Sequence, residues 1–168
     1  MYRIMSKVSL CLVAALLFAT CRQNVKYDQE KYNIQFLYNP WIKLDFNTGI
    51  VEVSAAKYWD TIIIDEKDKN VIINSFNENG IGDLQGNIFV DSKEAVMPPN
   101  NFQFKVIRDS KALSDITVSN IDPITDGQNK RILNFKTTVA DVLNRNSDFK
   151  AAREAFARFQ RSSGALIF

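Results

Sequence analysis

The acidic side chains best placed for chemistry are concentrated between residues 60 and 68. This run holds Asp60, Asp65, Glu66 and Asp68. Two carboxyl groups that face each other across a cleft at about 5 to 10 Å can hydrolyse a glycosidic bond, and clustered carboxylates can bind a hard cation. Acids in the first turn of a helix also stabilise that helix through its dipole. We interpret these acids mainly as helix-stabilising residues, and we predict no metal site and no cofactor.

Aromatic residues stand close to these acids in the sequence. Trp41, Tyr58 and Trp59 lie near predicted loops. Such rings can stack on a sugar or anchor a protein partner, and packing in the core would also account for them. The candidate binding surface therefore consists of Trp41, Tyr58, Trp59, Asp60 and Asp65.

The chain contains no histidine, which excludes whole classes of chemistry. Ser-His-Asp and Cys-His mechanisms, histidine-ligated zinc and the HExxH peptidases all need an imidazole. Ser54 and Lys57 match the S-x-x-K spacing of penicillin-recognising enzymes, but Lys136-Thr137-Thr138 is not the K-T-G element that should accompany it. We interpret Ser54 as the end of a strand and Lys57 as a solvated side chain.

The first 21 residues have the pattern of a targeting segment. Arg3 and Lys7 form a short basic region, and the apolar run from Val8 to Ala19 follows. About a dozen apolar residues are too few to cross a bilayer core, which takes about 20. The stretch Leu16-Leu17-Phe18-Ala19-Thr20-Cys21 resembles the lipobox of bacterial lipoproteins.

This resemblance implies a signal peptide over residues 1–20 that signal peptidase II removes, and a diacylglyceryl group on the Cys21 thiol. Phe18 and Thr20 make the box a loose one, but they fit an ordinary secretory cleavage site badly. The resemblance places the protein in the cell envelope, attached to the membrane through its N-terminal lipid. Arg22 is not the aspartate that retains enteric lipoproteins in the inner membrane, so we expect the outer membrane, with the periplasmic or surface face left open.

Removal of the leader balances the charge of the chain. The full sequence has 21 basic and 19 acidic residues, and the leader contributes Arg3 and Lys7 but no acid. A balanced chain lacks the clustered Lys and Arg that phosphate backbones require, so we predict no nucleic-acid partner. Because Cys11 leaves with the leader and Cys21 carries lipid, the mature domain has no thiol for a disulfide, a nucleophile or a metal site.

Residues 21–31 predict a lipid anchor and a polar tether, and residues 32–168 predict a single domain. Hydrophobic periodicity predicts a helix from the cap Asp65 to about Glu78 and two C-terminal helices, the second beginning at the cap Ser147. The apolar stripes of the C-terminal helices consist of Ile132, Phe135, Val139, Val142 and Leu143 in the first and of Phe149, Ala152, Phe156 and Phe159 in the second. Strands are predicted at 42–46, 50–54, 61–64, 88–91, 102–108 and 116–119.

This order of elements predicts an α+β fold. We expect a mostly antiparallel sheet of about five or six short strands, with one central helix and two C-terminal helices packed on one face. The final residues Ala165–Phe168 should be ordered, either as an edge strand or beside the last helix.

Two functions fit these features. The first is a non-enzymatic binding domain of an envelope lipoprotein, acting as an accessory, inhibitor or immunity-type module on a protein or an envelope glycan. The alternative is a carboxylate-based hydrolase of envelope glycans, with Glu52, Asp60 or Asp65 as its acids.

Overall fold

Seven strands and three α-helices make up the described part of the chain. The structure is a computed structural model that describes residues 26–93 and 101–163. The predicted leader, Cys21 and the Ala165–Phe168 segment lie outside these ranges. The α+β class is confirmed, whereas the strands number seven rather than five or six and include one parallel pair.

The sheet has the order β4-β3-β2-β1-β6-β7-β5, and its neighbouring strands are antiparallel except for β5 and β7. Its strands are β1 (Tyr32–Asn39), β2 (Ile42–Asp45), β3 (Ile50–Val53), β4 (Tyr58–Thr61), β5 (Gly86–Val90), β6 (Asn101–Arg108) and β7 (Lys111–Ser119). The helices are α1 (Glu66–Glu78), α2 (Gly127–Arg145) and α3 (Ser147–Ser163). Within the described ranges, no helix is long and apolar enough to cross a bilayer.

The core lies between one face of the sheet and the helices. Buried and more exposed side chains alternate along the central strands, as in β1, where Ile34 and Phe36 are buried and Gln35 is only partly so. The ring of Phe36 lies at the centre, and its centroid is within 6.5 Å of four others, those of Phe46, Phe102, Phe104 and Phe135. We call the opposite face of the sheet the open face.

Local capping explains where two helices begin. The Asp65 carboxylate accepts a hydrogen bond from the Asp68 N–H at 2.7 Å, which confirms the predicted start of α1. The cap of α3 lies one residue earlier than predicted. The Asn146 side chain, and not that of Ser147, accepts a hydrogen bond from the Phe149 N–H at 2.8 Å.

The buried stripe of α3 also differs from the predicted one. It consists of Phe149, Ala152 and Ala155, while Phe156 and Phe159 are only partly buried. The small side chain of Ala155 allows close packing on the sheet, and the larger rings lie at the margin of the core.

The strands predicted at 42–46 and 50–54 are confirmed and form the β2–β3 hairpin, but the strand predicted at 61–64 is not. Gly49 closes the hairpin with a φ of +71°, and a Cβ there would lie 2.5 Å from the Ile62 carbonyl oxygen, so only glycine fits. The Ile62 N–H donates to the Gly49 carbonyl at 2.8 Å, and the chain then leaves the sheet to begin α1. The observed strand β4 therefore lies three residues earlier than predicted.

Part of the predicted tether contacts the domain. The ring of Tyr27 packs edge-on against Phe76 and Phe46, with centroids 5.1 and 6.0 Å apart. Ordered packing therefore begins at least five residues before the expected domain start at Tyr32.

We expect Phe149→Ala to lower the free energy of unfolding by about 3–5 kcal/mol, because Phe149 is fully buried and its truncation leaves a cavity. Urea denaturation of the purified domain measures this loss. Phe159→Ala, at a partly buried position of the same helix, should cost clearly less. Equal losses for the two variants would contradict the observed packing of α3.

Candidate functional site

The structure places three residues of the predicted binding surface on β4 and the other two, Trp41 and Asp65, on other elements. Tyr58 and Asp60 lie on the helix side of β4 and Trp59 on its open face, because successive side chains of a strand point to opposite faces. Asp65 is engaged as the cap of α1. Trp41 lies in the turn between β1 and β2, partly buried, with its indole N–H unpaired among the described residues.

The acids proposed for hydrolysis do not face one another. Glu52 lies opposite Trp59 on the open face, whereas Asp60 lies on the helix side of the neighbouring strand and Asp65 begins α1. These three carboxyl groups therefore supply no facing pair. Among residues 26–93 and 101–163, no group of three or more His, Cys, Asp or Glu side chains could hold a metal ion.

Asp60 has local structural partners. Its carboxylate accepts hydrogen bonds from the Tyr58 hydroxyl at 3.0 Å and from the Thr61 N–H at 2.8 Å. Burial and the hydrogen bond with Asp60 raise the pKa of Tyr58 above its ordinary value.

Trp59 is the most conspicuous side chain of the open face. It is 76% exposed, and its cross-strand diagonal neighbour Ile50 is 47% exposed. Together they border an open depression of about 460 Å³. Its lining residues are Ile50, Glu52, Val53, Ser54, Lys57, Tyr58 and Trp59.

The backbone of Trp59 faces outward at the edge of the described sheet. The hydrogen bond between Ile62 and Gly49 identifies a bonded pair, and bonded and non-bonded pairs alternate along an antiparallel ladder. Trp59 and Glu52 therefore form a non-bonded pair, and the N–H and C=O of Trp59 point away from β3. The outward N–H of Thr61 is already occupied by the Asp60 carboxylate.

A continuous cross-strand row of side chains runs across the open face. One side chain from each strand contributes to it, and its two ends are aromatic, since Phe89 on β5 is 66% exposed. The row runs through Trp59, Glu52, Lys43, Leu37, Gln103, Thr117 and Phe89. The sequence interpretation did not identify this row, because it requires the register of six strand pairs.

Asp45 organises the next part of the open face. Its carboxylate accepts hydrogen bonds from the side chains of Asn33 at 2.6 Å and Gln35 at 3.3 Å, and from the N–H and hydroxyl of Thr48 at 3.1 and 3.0 Å. Partial burial opposes ionisation of this carboxyl, but the four hydrogen bonds outweigh it and hold the pKa of Asp45 below its ordinary value. The network ties β1, β2 and the β2–β3 turn together.

We expect Asp45→Asn to destabilise the protein at pH 7 and to matter less in acid. A carboxyl whose folded pKa is lowered stabilises the fold above its unfolded pKa of about 4, and that contribution disappears as the pH falls through the folded pKa. Urea denaturation of wild type and variant at pH 7 and pH 3 measures the effect. Asp83→Asn, at an exposed acid, is the matched control. A wild-type advantage that is the same at both pH values would refute the linkage.

Comparison of the chain with protein-family models, with curated proteins and with solved structures found no significant match.

Proposed function

We propose that this protein is a membrane-anchored envelope lipoprotein whose domain is a non-enzymatic binding module. Its partner is a protein that presents an extended segment to the edge of β4 beside Trp59. The lipobox-like stretch ending at Cys21 supports the anchor, and the described surface supports the binding role.

The exposure of Trp59 is the observation that carries the binding proposal. A tryptophan ring that is 76% exposed leaves a large apolar area in water, and a partner that covered it would remove that cost. Ile50 and the adjoining depression extend the apolar contact. Tryptophan is also among the residues that most often dominate binding energy at protein interfaces.

The orientation of the backbone favours an extended protein segment over a glycan. A sugar needs only the ring face, whereas an added strand needs backbone donors and acceptors that point outward from an edge. Trp59 offers both groups next to its exposed ring. A glycan that stacks on Trp59 alone is the competing candidate, and the scattered acids give no support to hydrolysis.

We expect Trp59→Ala to abolish most partner binding without unfolding the domain. Because the ring is largely exposed, the free energy of unfolding should change by less than about 0.5 kcal/mol. A photo-crosslinking amino acid at Ile50, introduced in cells with and without Trp59→Ala, measures the loss as disappearance of the crosslinked adduct. Phe89→Ala, at the other end of the same row, should leave the adduct intact.

Two variants of Thr61 test whether the partner binds by adding a strand to β4. Thr61→Pro places a pyrrolidine ring at the outward edge, two residues from Trp59, and so obstructs an added strand, while Thr61→Ala keeps the backbone unchanged. Loss of the Ile50 adduct in Thr61→Pro alone supports strand addition. An adduct that resists protease, is removed by glycan-degrading enzymes and persists in Thr61→Pro would replace the protein partner with a glycan.

We expect Cys21→Ser to release the protein from membranes into the soluble envelope fraction, because the anchor would be lost. Carbonate washing of membranes followed by immunoblotting measures the distribution. Cys11→Ser is the matched control, since Cys11 lies in the predicted leader, and it should leave the protein on the membrane. Retention of the Cys21→Ser variant after the wash would rule out the lipid anchor.

A further inference from the structure

Tyr27 fastens the start of the described chain to the domain. Its N–H donates to the Asn77 side chain at 2.6 Å and its hydroxyl donates to the Asn47 side chain at 2.5 Å. Its ring also packs against Tyr32, Phe46 and Phe76, with centroids 5.1 to 6.0 Å apart. Hydrogen bonds and ring contacts to α1, β1 and the β2–β3 turn thus hold this residue in place.

These contacts lie at one end of the sheet. The Asn47 side chain donates to the Tyr32 carbonyl at 2.7 Å, and the Asp109 N–H donates to the Lys31 carbonyl at 2.9 Å. The β2–β3 turn and the β6–β7 turn at Asp109 and Ser110 therefore share this end with Tyr27. We call it the anchored end.

The distance from Cys21 to Tyr27 limits how far the anchored end can move from a membrane. Only five residues separate them, and a fully extended chain would span about 20 Å over the six steps. Strand β1 alone, with eight residues, is about 26 Å long. When the strands stand perpendicular to the membrane with the anchored end toward it, the opposite end of the sheet therefore lies farther from the anchored end than the Cys21–Tyr27 segment can span.

We propose that Tyr27 acts as a latch that turns the anchored end toward the lipid headgroups and presents the depression beside Trp59 on the side of the domain, clear of the bilayer. This inference rests on the lipidation of Cys21 in the proposed function. Trp59 pairs with Glu52, three residues beyond Gly49, which places it about 10 Å along the strands from the β2–β3 turn.

The latch itself is uncharged, since Tyr27 is held by the Asn77 and Asn47 side chains and by aromatic rings. Two cations of the anchored end, Lys31 and Arg108, lie beside Asp28 and Asp109, at 3.5 and 3.6 Å. Such pairs leave little net attraction for anionic headgroups. The orientation should therefore already be present on neutral vesicles, and anionic lipid, which the exposed Lys26 and Lys111 at the same end can attract, should strengthen it.

Two single-cysteine variants test the orientation, since the mature chain has no thiol other than Cys21. Ser110→Cys labels the anchored end and Ser54→Cys labels the opposite end, and both serines are exposed. The lipidated variants carry an environment-sensitive fluorophore and are reconstituted in phosphatidylcholine vesicles with a headgroup-linked nitroxide quencher. Quenching should be several-fold stronger at residue 110 than at residue 54. Equal quenching, stronger quenching at residue 54, or failure of the protein to float with the vesicles would each overturn the proposal.

Variants of the latch separate its role from that of the tether. Tyr27→Phe keeps the ring contacts and should retain most of the difference in quenching, whereas Tyr27→Ala should reduce it. A Gly-Ser insertion of six residues between Val25 and Lys26 lengthens the tether without altering Tyr27, and it should weaken quenching at residue 110 even if Tyr27→Ala does not fold. Unchanged quenching at residue 110 after the insertion would overturn the proposed orientation. Partner binding at Trp59 is measured independently, so failure of one proposal remains distinguishable from failure of the other.

Discussion

Burial of one face of the sheet is the constraint on which the other features of the domain depend. The central strands direct their apolar side chains toward the helices, where the rings of Phe36, Phe104 and Phe135 meet. Because side chains alternate with a period of two, a slip of one residue in any strand would exchange its buried and open faces. Packing around Phe36 therefore fixes the register, and the register determines which side chains reach the open face.

Strand β4 lies at the edge of the described sheet, and only one of its outward-facing positions is protected. An exposed strand edge is a template for unwanted pairing, and charged side chains near the edge counter that risk. Asp60 occupies the outward N–H of Thr61 and adds a negative charge, whereas the outward N–H and C=O of Trp59 have no partner among the described residues. Because Thr61 is protected and Trp59 is not, β4 favours the addition of one selected strand over indiscriminate pairing.

Local signals predicted the helices better than the sheet. The α1 cap and the stripe of α2 depend on residues within a few positions of one another, and both were predicted correctly. Strand β1 was missed although it is central and although Tyr32, Ile34 and Phe36 alternate with Asn33 and Gln35 in the period-two pattern of a strand. The amides of Asn33 and Gln35 are hydrogen-bond donors to Asp45 on the neighbouring strand, a partner that no local pattern reveals.

The bounds of β4, on which the candidate site lies, could not be predicted from local sequence either. The β-branched run from residue 61 to 64 has a strong intrinsic preference for strand, but the length of a ladder depends on its partner. Strand β3 offers only the four residues between Gly49 and the 3₁₀ turn that starts at Ser54, and Tyr58–Thr61 pairs with all of them. Residues 62–64 follow the end of the ladder and still alternate, with Ile62 and Ile64 buried and Ile63 76% exposed. Although the Ile63 side chain is exposed, its N–H donates to the Asp148 carboxylate at 3.2 Å and its C=O accepts from the Asn146 side chain at 2.7 Å, so backbone pairing by an added segment is confined to β4.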